Sequence, residues 1–388
     1  MNKDCLEVLQ KLSRDYSYRN IFDIMMGYGD ATAAEYLDAQ DEIAKLTYRE
    51  TGQEARNAAA ALLEAVDEPK GSFIGLKMEN SPHWPSAFWG ILMAGFQPIL
   101  LDVRAEPEAT LNLLDQAGAV GIITEEDAGE YLGYEVLRLE SLLEKQAAPD
   151  FAPDWADRVA LCTSGTTGTA KVFVYDGAAM GHQMDNARYF LGNNEDIMYD
   201  ASDGPLKNLA FLPLHHIFGF VAVYMWFSFF GKTIVYLKDR NPKNIMDACK
   251  RHEVTHIFCV PLFWNNVAQG ILRKVKQGGE KQEKLFARMS RLSMRLQRNM
   301  KRPGRKMVGA SIFKGVQGNL VGGSIRFLIN GGGHILPETL KTINAVGYPL
   351  YNGFGMTEAG ITSVELSQEI DKRMEGSVGC LLYTSRCV

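Results

Sequence analysis

A strand-like run, Val159–Thr163, leads into Ser164-Gly-Thr-Thr-Gly-Thr-Ala-Lys171. Hydroxyls stand at Thr163, Ser164, Thr166, Thr167 and Thr169, glycines at Gly165 and Gly168, and Lys171 closes the segment. Glycines let a backbone turn until consecutive N–H groups converge on one anion. The hydroxyls add donors, and Lys171 adds a charge that can reach a polyphosphate. A generic surface turn rarely combines these features directly after a buried strand. The pattern is not a Walker loop, which needs four residues between its glycines and a Lys-Ser/Thr pair opening a helix. Here two residues separate the glycines, and Lys171 runs into Val172-Phe-Val-Tyr175, a second strand. A hairpin with a phosphate-grasping tip is expected.

Three other places carry chemistry-bearing residues. Gly331, Gly332 and Gly333 follow an apolar run and allow close backbone approach, besides making an ordinary strand-to-helix turn. His215 and His216 precede the most apolar stretch of the chain, Ile217–Phe230, where a lone histidine is often a satisfied core residue. Asn352-Gly-Phe-Gly-Met-Thr-Glu358 places a carboxylate after a glycine-spaced aromatic.

The elements that must hold these residues alternate. Ser72–Met78, Gln97–Leu101, Gly121–Thr124, Leu209–Leu212, Thr233–Leu237, Val254–Val260, Ile325–Ile329 and Pro349–Tyr351 read as strands. Helical patterns at Pro85–Ala94, 217–230, 242–251 and Pro337–Ala345 fall between them. This rhythm predicts parallel sheets covered by helices, with ligands at the carboxyl ends of strands. We expect an α/β chain of two doubly wound subdomains, 1–180 with the phosphate loop and 181–379 with the later motifs.

Composition narrows the function classes. Net charge is −5, with 46% hydrophobic and 22% charged residues, which gives no case for a nucleic acid partner. Six scattered cysteines with no CxxC pair fit a reducing cytosol better than a disulfide framework. The charged N-terminus is no signal peptide, and Ile217–Phe230 is shorter than the roughly 20 residues of a membrane span. One segment stands apart. Arg273–Lys306 holds thirteen Lys or Arg against two Glu, a local +11, leaving about −16 elsewhere. Arg288, Arg291, Arg295, Arg298 and Arg302 recur at helical spacing, with Leu285, Met289, Leu292 and Leu296 on another face. This is a solvated helical insertion or a surface that meets anionic membrane or an acidic carrier protein.

Thr163–Lys171 resembles the TSGTTG-x-P-K signature of the adenylate-forming acyl-CoA synthetases, with Ala170 in the proline's place. Leu46-Thr-Tyr-Arg-Glu50, Gly75–Asp102, Pro213–Gly219, Ile329–His334 with Pro337-Glu338, and Asn352–Glu358 resemble further segments of that family in order. The spacing and the basic insertion look most like the long-chain fatty acid branch. The resemblance implies ATP, Mg²⁺ and CoA as cofactors and a fatty or other apolar acid as substrate. It implies that Thr163–Lys171 holds the β- and γ-phosphates, that Thr357 bonds the α-phosphate and that Glu358 binds Mg²⁺. Gly331–Gly333 and Asn352, Gly353, Phe354 and Gly355 would meet the adenine or the acyl group, and His216 would gate the acyl pocket. No aspartate stands near Phe218 to pair with an ammonium, which favours an uncharged acyl chain. An acyl-AMP ligase loading a carrier protein, or a non-catalytic nucleotide- or acyl-binding fragment, are the alternatives.

The resemblance also implies a later TGD motif, a hinge and a small C-terminal domain with a catalytic lysine. None follows Gly379, and Cys380–Val388 resembles nothing expected there. The tail is expected to be non-native sequence on a truncated chain. A cytoplasmic protein is expected, with peripheral membrane contact through 273–306 as its one link to lipid.

Overall fold

The computed structural model describes residues 3–67, 69–163, 170–189, 204–299 and 311–382. By contact the chain forms two compact units, one of Met1–Arg188 with Pro213–Tyr236, the other of Tyr189–Leu212 with Leu237–Val388. The alternating rhythm puts a single break near 180. In the structure, the segment 213–236 instead returns to the N-terminal unit.

The first unit contains a six-stranded sheet in the order Glu135–Leu137, Ala119–Thr124, Phe73–Lys77, Gln97–Leu100, Arg158–Cys162, Val172–Asp176. All neighbours are parallel except the last pair, which is antiparallel. Cys162 lies opposite Val172, so the expected hairpin is present and its tip begins at Thr163. A second set of strands joins Thr32–Leu37 to Ile43–Thr47 antiparallel and to Thr233–Val235 parallel.

Helix Tyr48–Ala65 starts where Thr47 accepts from the Glu50 N–H and the Glu50 carboxylate accepts from the Thr47 N–H. This capping box satisfies donors that a helix start leaves open. It gives the Leu46–Glu50 motif a folding role, and Tyr48 adds a 2.7 Å bond from its hydroxyl to the Lys232 carbonyl. Helix Trp84–Met93 lies close against it. A Cβ on Gly90 would stand 2.7 Å from that of Ala58, so only glycine permits the approach.

The apolar stretch forms a π-helical run, Phe218–Met225, in which the Trp226 N–H donates to the Val221 carbonyl five residues back, and then a turn of α-helix, Trp226–Phe229. Its rings pack with Trp84, Phe88 and Trp89, and Trp89 Nε1 donates to the Tyr224 hydroxyl at 2.6 Å. This is the buried helix expected from its length. No described helix is long and apolar enough to cross a membrane.

The second unit orders Lys207–Leu209, His256–Cys259, Phe327–Asn330 and Leu350–Met356 as parallel neighbours. Gly360–Val364 and Cys380–Leu381 then add antiparallel. Helices Pro242–Arg251 and Pro337–Ala345 fall where the periodicity predicts. Within the described residues the basic segment is helical, as Pro261–Gln277 and Gly279–Asn299, while residues 300–306, Arg302 among them, lie outside the described residues. The second of these helices packs through a partly polar arc. Ser293, Met294 and Gln297 are buried, whereas Leu285 and Leu292 are exposed. Hydrogen bonds decide this: Ser293 Oγ donates to the Ala345 carbonyl at 2.7 Å and Gln297 Nε2 to that of Asn344 at 3.0 Å.

Candidate functional site

Chemistry-bearing residues gather at three places. The first is the hairpin tip of the N-terminal unit. Thr163 N–H donates to the Lys171 carbonyl at 3.0 Å, and Lys171 N–H donates to Thr163 Oγ1 at 3.1 Å. This reciprocal pair closes the neck of the tip and leaves the Lys171 side chain exposed. Ser164, Gly165, Thr166, Thr167, Gly168 and Thr169 lie outside the described residues.

The second place is the carboxyl end of the sheet in the C-terminal unit. Strands Phe327–Asn330 and Leu350–Met356 run in register, with Asn330 opposite Asn352. Gly331, Gly332 and Gly333 leave the first strand in a turn where Gly332 takes φ +75°, the left-handed region that favours glycine. The Asn352–Met356 motif continues the strand, pairs antiparallel with Gly360–Val364 and shifts register between Phe354 and Gly355. A bulge of this kind re-aims side chains, and Phe354 is 47% exposed here. A Cβ on Gly355 would approach the Gly360 carbonyl to 2.7 Å, which excludes larger residues. Thr357 and Glu358 occupy the hairpin turn, closed by Ala359 N–H donating to the Met356 carbonyl at 3.1 Å. Glu358 is exposed and Thr357 half-buried.

Asn352 is less available than the motif implies. It is buried, accepts from Asn330 Nδ2 at 2.8 Å and donates to the Gly376 carbonyl at 3.1 Å. Its amide holds adjacent chain segments together. A cleft of about 280 Å³ in this unit lies at the opposite, amino-terminal edge of the sheet, among Lys207, Glu253, Thr255, Ser324 and Arg326. Parallel α/β sheets bind at the carboxyl ends, and none of the motif residues lines that cleft.

The third place joins the two histidines singled out from sequence to an aspartate that was not. Asp102, just past strand Gln97–Leu100, faces His215 and His216, with their ligating atoms all within 4.8 Å of one another. His215 Nε2 is 3.5 Å from Asp102 Oδ1, longer than a good hydrogen bond, and this buried nitrogen makes no hydrogen bond. Arg104 donates from its backbone and guanidinium to the same carboxylate at 2.9–3.2 Å. The facing His215, together with Arg104, holds the Asp102 carboxyl well below the usual carboxylate range. The His215 and His216 rings lie 4.2 Å apart. Burial first, and then neighbouring His215, push His216 down to about 4, so its imidazole is neutral at pH 7. The tandem histidines and the aspartate ending a buried strand were the available signals; their contact across the fold was not.

The apolar run after His216 is committed to the core. Across 214–230 only His216 and Phe218 keep partial exposure. A cavity beside Tyr224, Ser228 and Tyr236 measures about 10 Å³, room for about one water and far too small for an acyl chain. Most of the run's apolar side chains are therefore spent on packing.

Residues 23–387 match the family described as AMP-binding enzyme. The long-chain-fatty-acid–CoA ligase 2 of Schizosaccharomyces pombe is 29% identical over 250 residues, 61% of this chain and 34% of that ligase. The long-chain-fatty-acid–CoA ligase 1 of Saccharomyces cerevisiae is 28% identical over 204 residues, 50% of this chain and 27% of that ligase. These matches thus span about a third or less of each relative's length. Among solved structures, the o-succinylbenzoate CoA synthetase of Bacillus subtilis in complex with its acyl-adenylate intermediate superposes with a TM-score of 0.67 at 19% identity. That alignment covers 93% of this chain and 64% of the synthetase.

Proposed function

This chain belongs to the AMP-binding enzyme family, and from that premise we propose that it activates a carboxylic acid with ATP for transfer to a thiol. A carboxylate alone is a poor acyl donor, because its leaving group would be oxide. One carboxylate oxygen attacks the α-phosphorus, the bond to the β-phosphate oxygen breaks, and pyrophosphate leaves. The resulting mixed anhydride has AMP as its leaving group, which the CoA thiol then displaces. Such chemistry asks a protein mainly for positioning and charge neutralisation.

The roles divide by site. Lys171 and the hydroxyls from Thr163 onward neutralise and hold the β- and γ-phosphates. Thr357 donates to the α-phosphate. Gly331–Gly333 and Gly353–Gly355 give the nucleotide a backbone surface, with the Phe354 ring offering a face to adenine. Mg²⁺ is commonly held by one or two carboxylates plus substrate phosphates, and the single exposed carboxylate of Glu358 on a closed turn suits that mode. When bound, the ion would draw charge from the phosphate oxygens. Neutral His216 suits a position beside an ionised acid, since it brings no proton that would quench the nucleophile.

The observation that carries the reading is the pairing of the glycine turn with the Asn352–Glu358 hairpin at the carboxyl ends of adjacent, in-register strands. A fatty acid is the substrate the relatives' names favour. Residues 213–230 contain no acidic side chain to pair an ammonium, and nearby Asp102 is already engaged by Arg104. The test is binding of non-hydrolysable acyl-sulfamoyl-adenosines with hexadecanoyl, aryl and aminoacyl groups, alongside acid-dependent ATP–pyrophosphate exchange. Tightest binding of the hexadecanoyl compound is expected. Preference for the aminoacyl compound would overturn the substrate reading, and failure to bind any of them would overturn the activation reading.

A further inference from the structure

The helix Gly279–Asn299 places its side chains against the usual logic of a charged helix. A helix that only borders solvent turns its leucines inward and its polar residues outward. Here Ser293 and Gln297 face inward with Met294, which packs on Ala345 and Ile370. Leu285 and Leu292 remain 56% and 49% exposed, and Met289 and Leu296 are half-buried. At 3.6 residues per turn these four side chains form one outward stripe along the helix, with Met289 and Leu296 at its inner edge. Lys281, Arg288 and Arg295 line one flank of that stripe, with Lys284 and Arg291 beyond them, all exposed. Opposing charge is sparse among the described residues: Glu280 pairs with Lys284 at 2.6 Å, exposed Glu283 lies on the same helix, and Asp371 pairs with Arg298 at the far end.

We propose that this face docks on an anionic lipid bilayer, with its leucines at the headgroup–acyl boundary and its guanidinium groups at lipid phosphates. The inference goes beyond the catalytic reading and does not depend on it. An apolar stripe bordered by cations is the pattern of an in-plane interfacial helix. Two features favour lipid over a folded acidic protein. The 21-residue helix is about 30 Å long, and exposed Arg273, Lys274 and Lys276 extend its charge onto the end of the preceding helix. A bilayer meets so long a footprint without needing a complementary shape.

The test is co-sedimentation of the whole chain with vesicles of phosphatidylcholine alone, or with about a third phosphatidylglycerol. Two exposed-residue variants accompany it, Arg288→Glu/Arg291→Glu/Arg295→Glu and Leu285→Ser/Leu292→Ser, each checked for an unchanged melting temperature. We expect binding to anionic vesicles at least tenfold tighter than to neutral ones, falling at least tenfold between 50 and 500 mM salt as screening shortens. The triple charge variant should lose binding, and the leucine variant, whose charge is unchanged, should weaken it severalfold. Equal binding to neutral and anionic vesicles would overturn the proposal. So would a leucine variant that binds as the parent does, or vesicles left unbound while an acidic carrier protein binds the face.

Discussion

Each unit carries an antiparallel hairpin beside parallel strands, and the two hairpins differ in where they hold their chemistry. In Arg158–Cys162 with Val172–Asp176, the strands are a handle and the motif occupies the connection between them, closed at its neck by Thr163 and Lys171. In Leu350–Met356 with Gly360–Val364, the motif is the strand itself, bulged at Phe354 and Gly355, with only Thr357 and Glu358 in the turn. A connection between two strands can offer several donors to a flexible polyphosphate. A strand holds a few groups at fixed spacing, which suits a rigid base, an α-phosphate and one metal ligand. Substitutions in the second hairpin should therefore affect folding and binding together, whereas those at the first should affect binding alone.

The sharpest stability contrast comes from Gly355→Val. Its Cβ would meet the Gly360 carbonyl, backbone that cannot swing away, so a loss of about 1–3 kcal/mol is expected. Denaturant unfolding monitored in the second unit would register it, while Thr166→Ala in the first hairpin should leave the midpoint unchanged. If both variants unfold like the parent, the distinction between the two hairpins fails. A smaller effect is expected for Glu358→Gln: about tenfold weaker ATP binding with Mg²⁺, near 1.4 kcal/mol, and none in EDTA. Equal losses with and without the metal would remove Glu358 as its ligand.

The smallest effect is a pH dependence outside both hairpins. His216 is depressed to about 4 in the folded chain, against about 6.5 when unfolded. The unfolded state therefore binds the proton first, and this contribution to stability is present above about 6.5 and lost as pH falls toward 4. His216→Asn should flatten the decline in melting temperature over that window. A decline as steep as the parent's would show that the imidazole is not held neutral by its surroundings.

Much of this arrangement was legible in the chain. Strand–helix alternation and turn residues located both sheets, and Lys171 followed by Val172-Phe-Val-Tyr175 announced a hairpin rather than a Walker helix. What escaped depended on partners distant in sequence. Asp102 meets His215 and His216 only because the segment from Pro213 returns to the first unit. The outward face of Gly279–Asn299 was hidden for a related reason: periodicity marks an apolar stripe, but the carbonyls of Asn344 and Ala345 decide which arc is buried. Asn352, placed by its motif at the nucleotide, spends its amide on Asn330 and Gly376.

The central claim is that the Thr163–Lys171 hairpin serves the far phosphates and not the adenylate. Equilibrium binding of ATP and of AMP to the parent chain and to Lys171→Ala tests it most directly. Loss of a positioned cation on phosphate commonly costs about 3 kcal/mol, so ATP should bind roughly a hundredfold more weakly while AMP affinity stays within about twofold. Equal weakening of AMP and ATP, or none of either, would contradict the assignment.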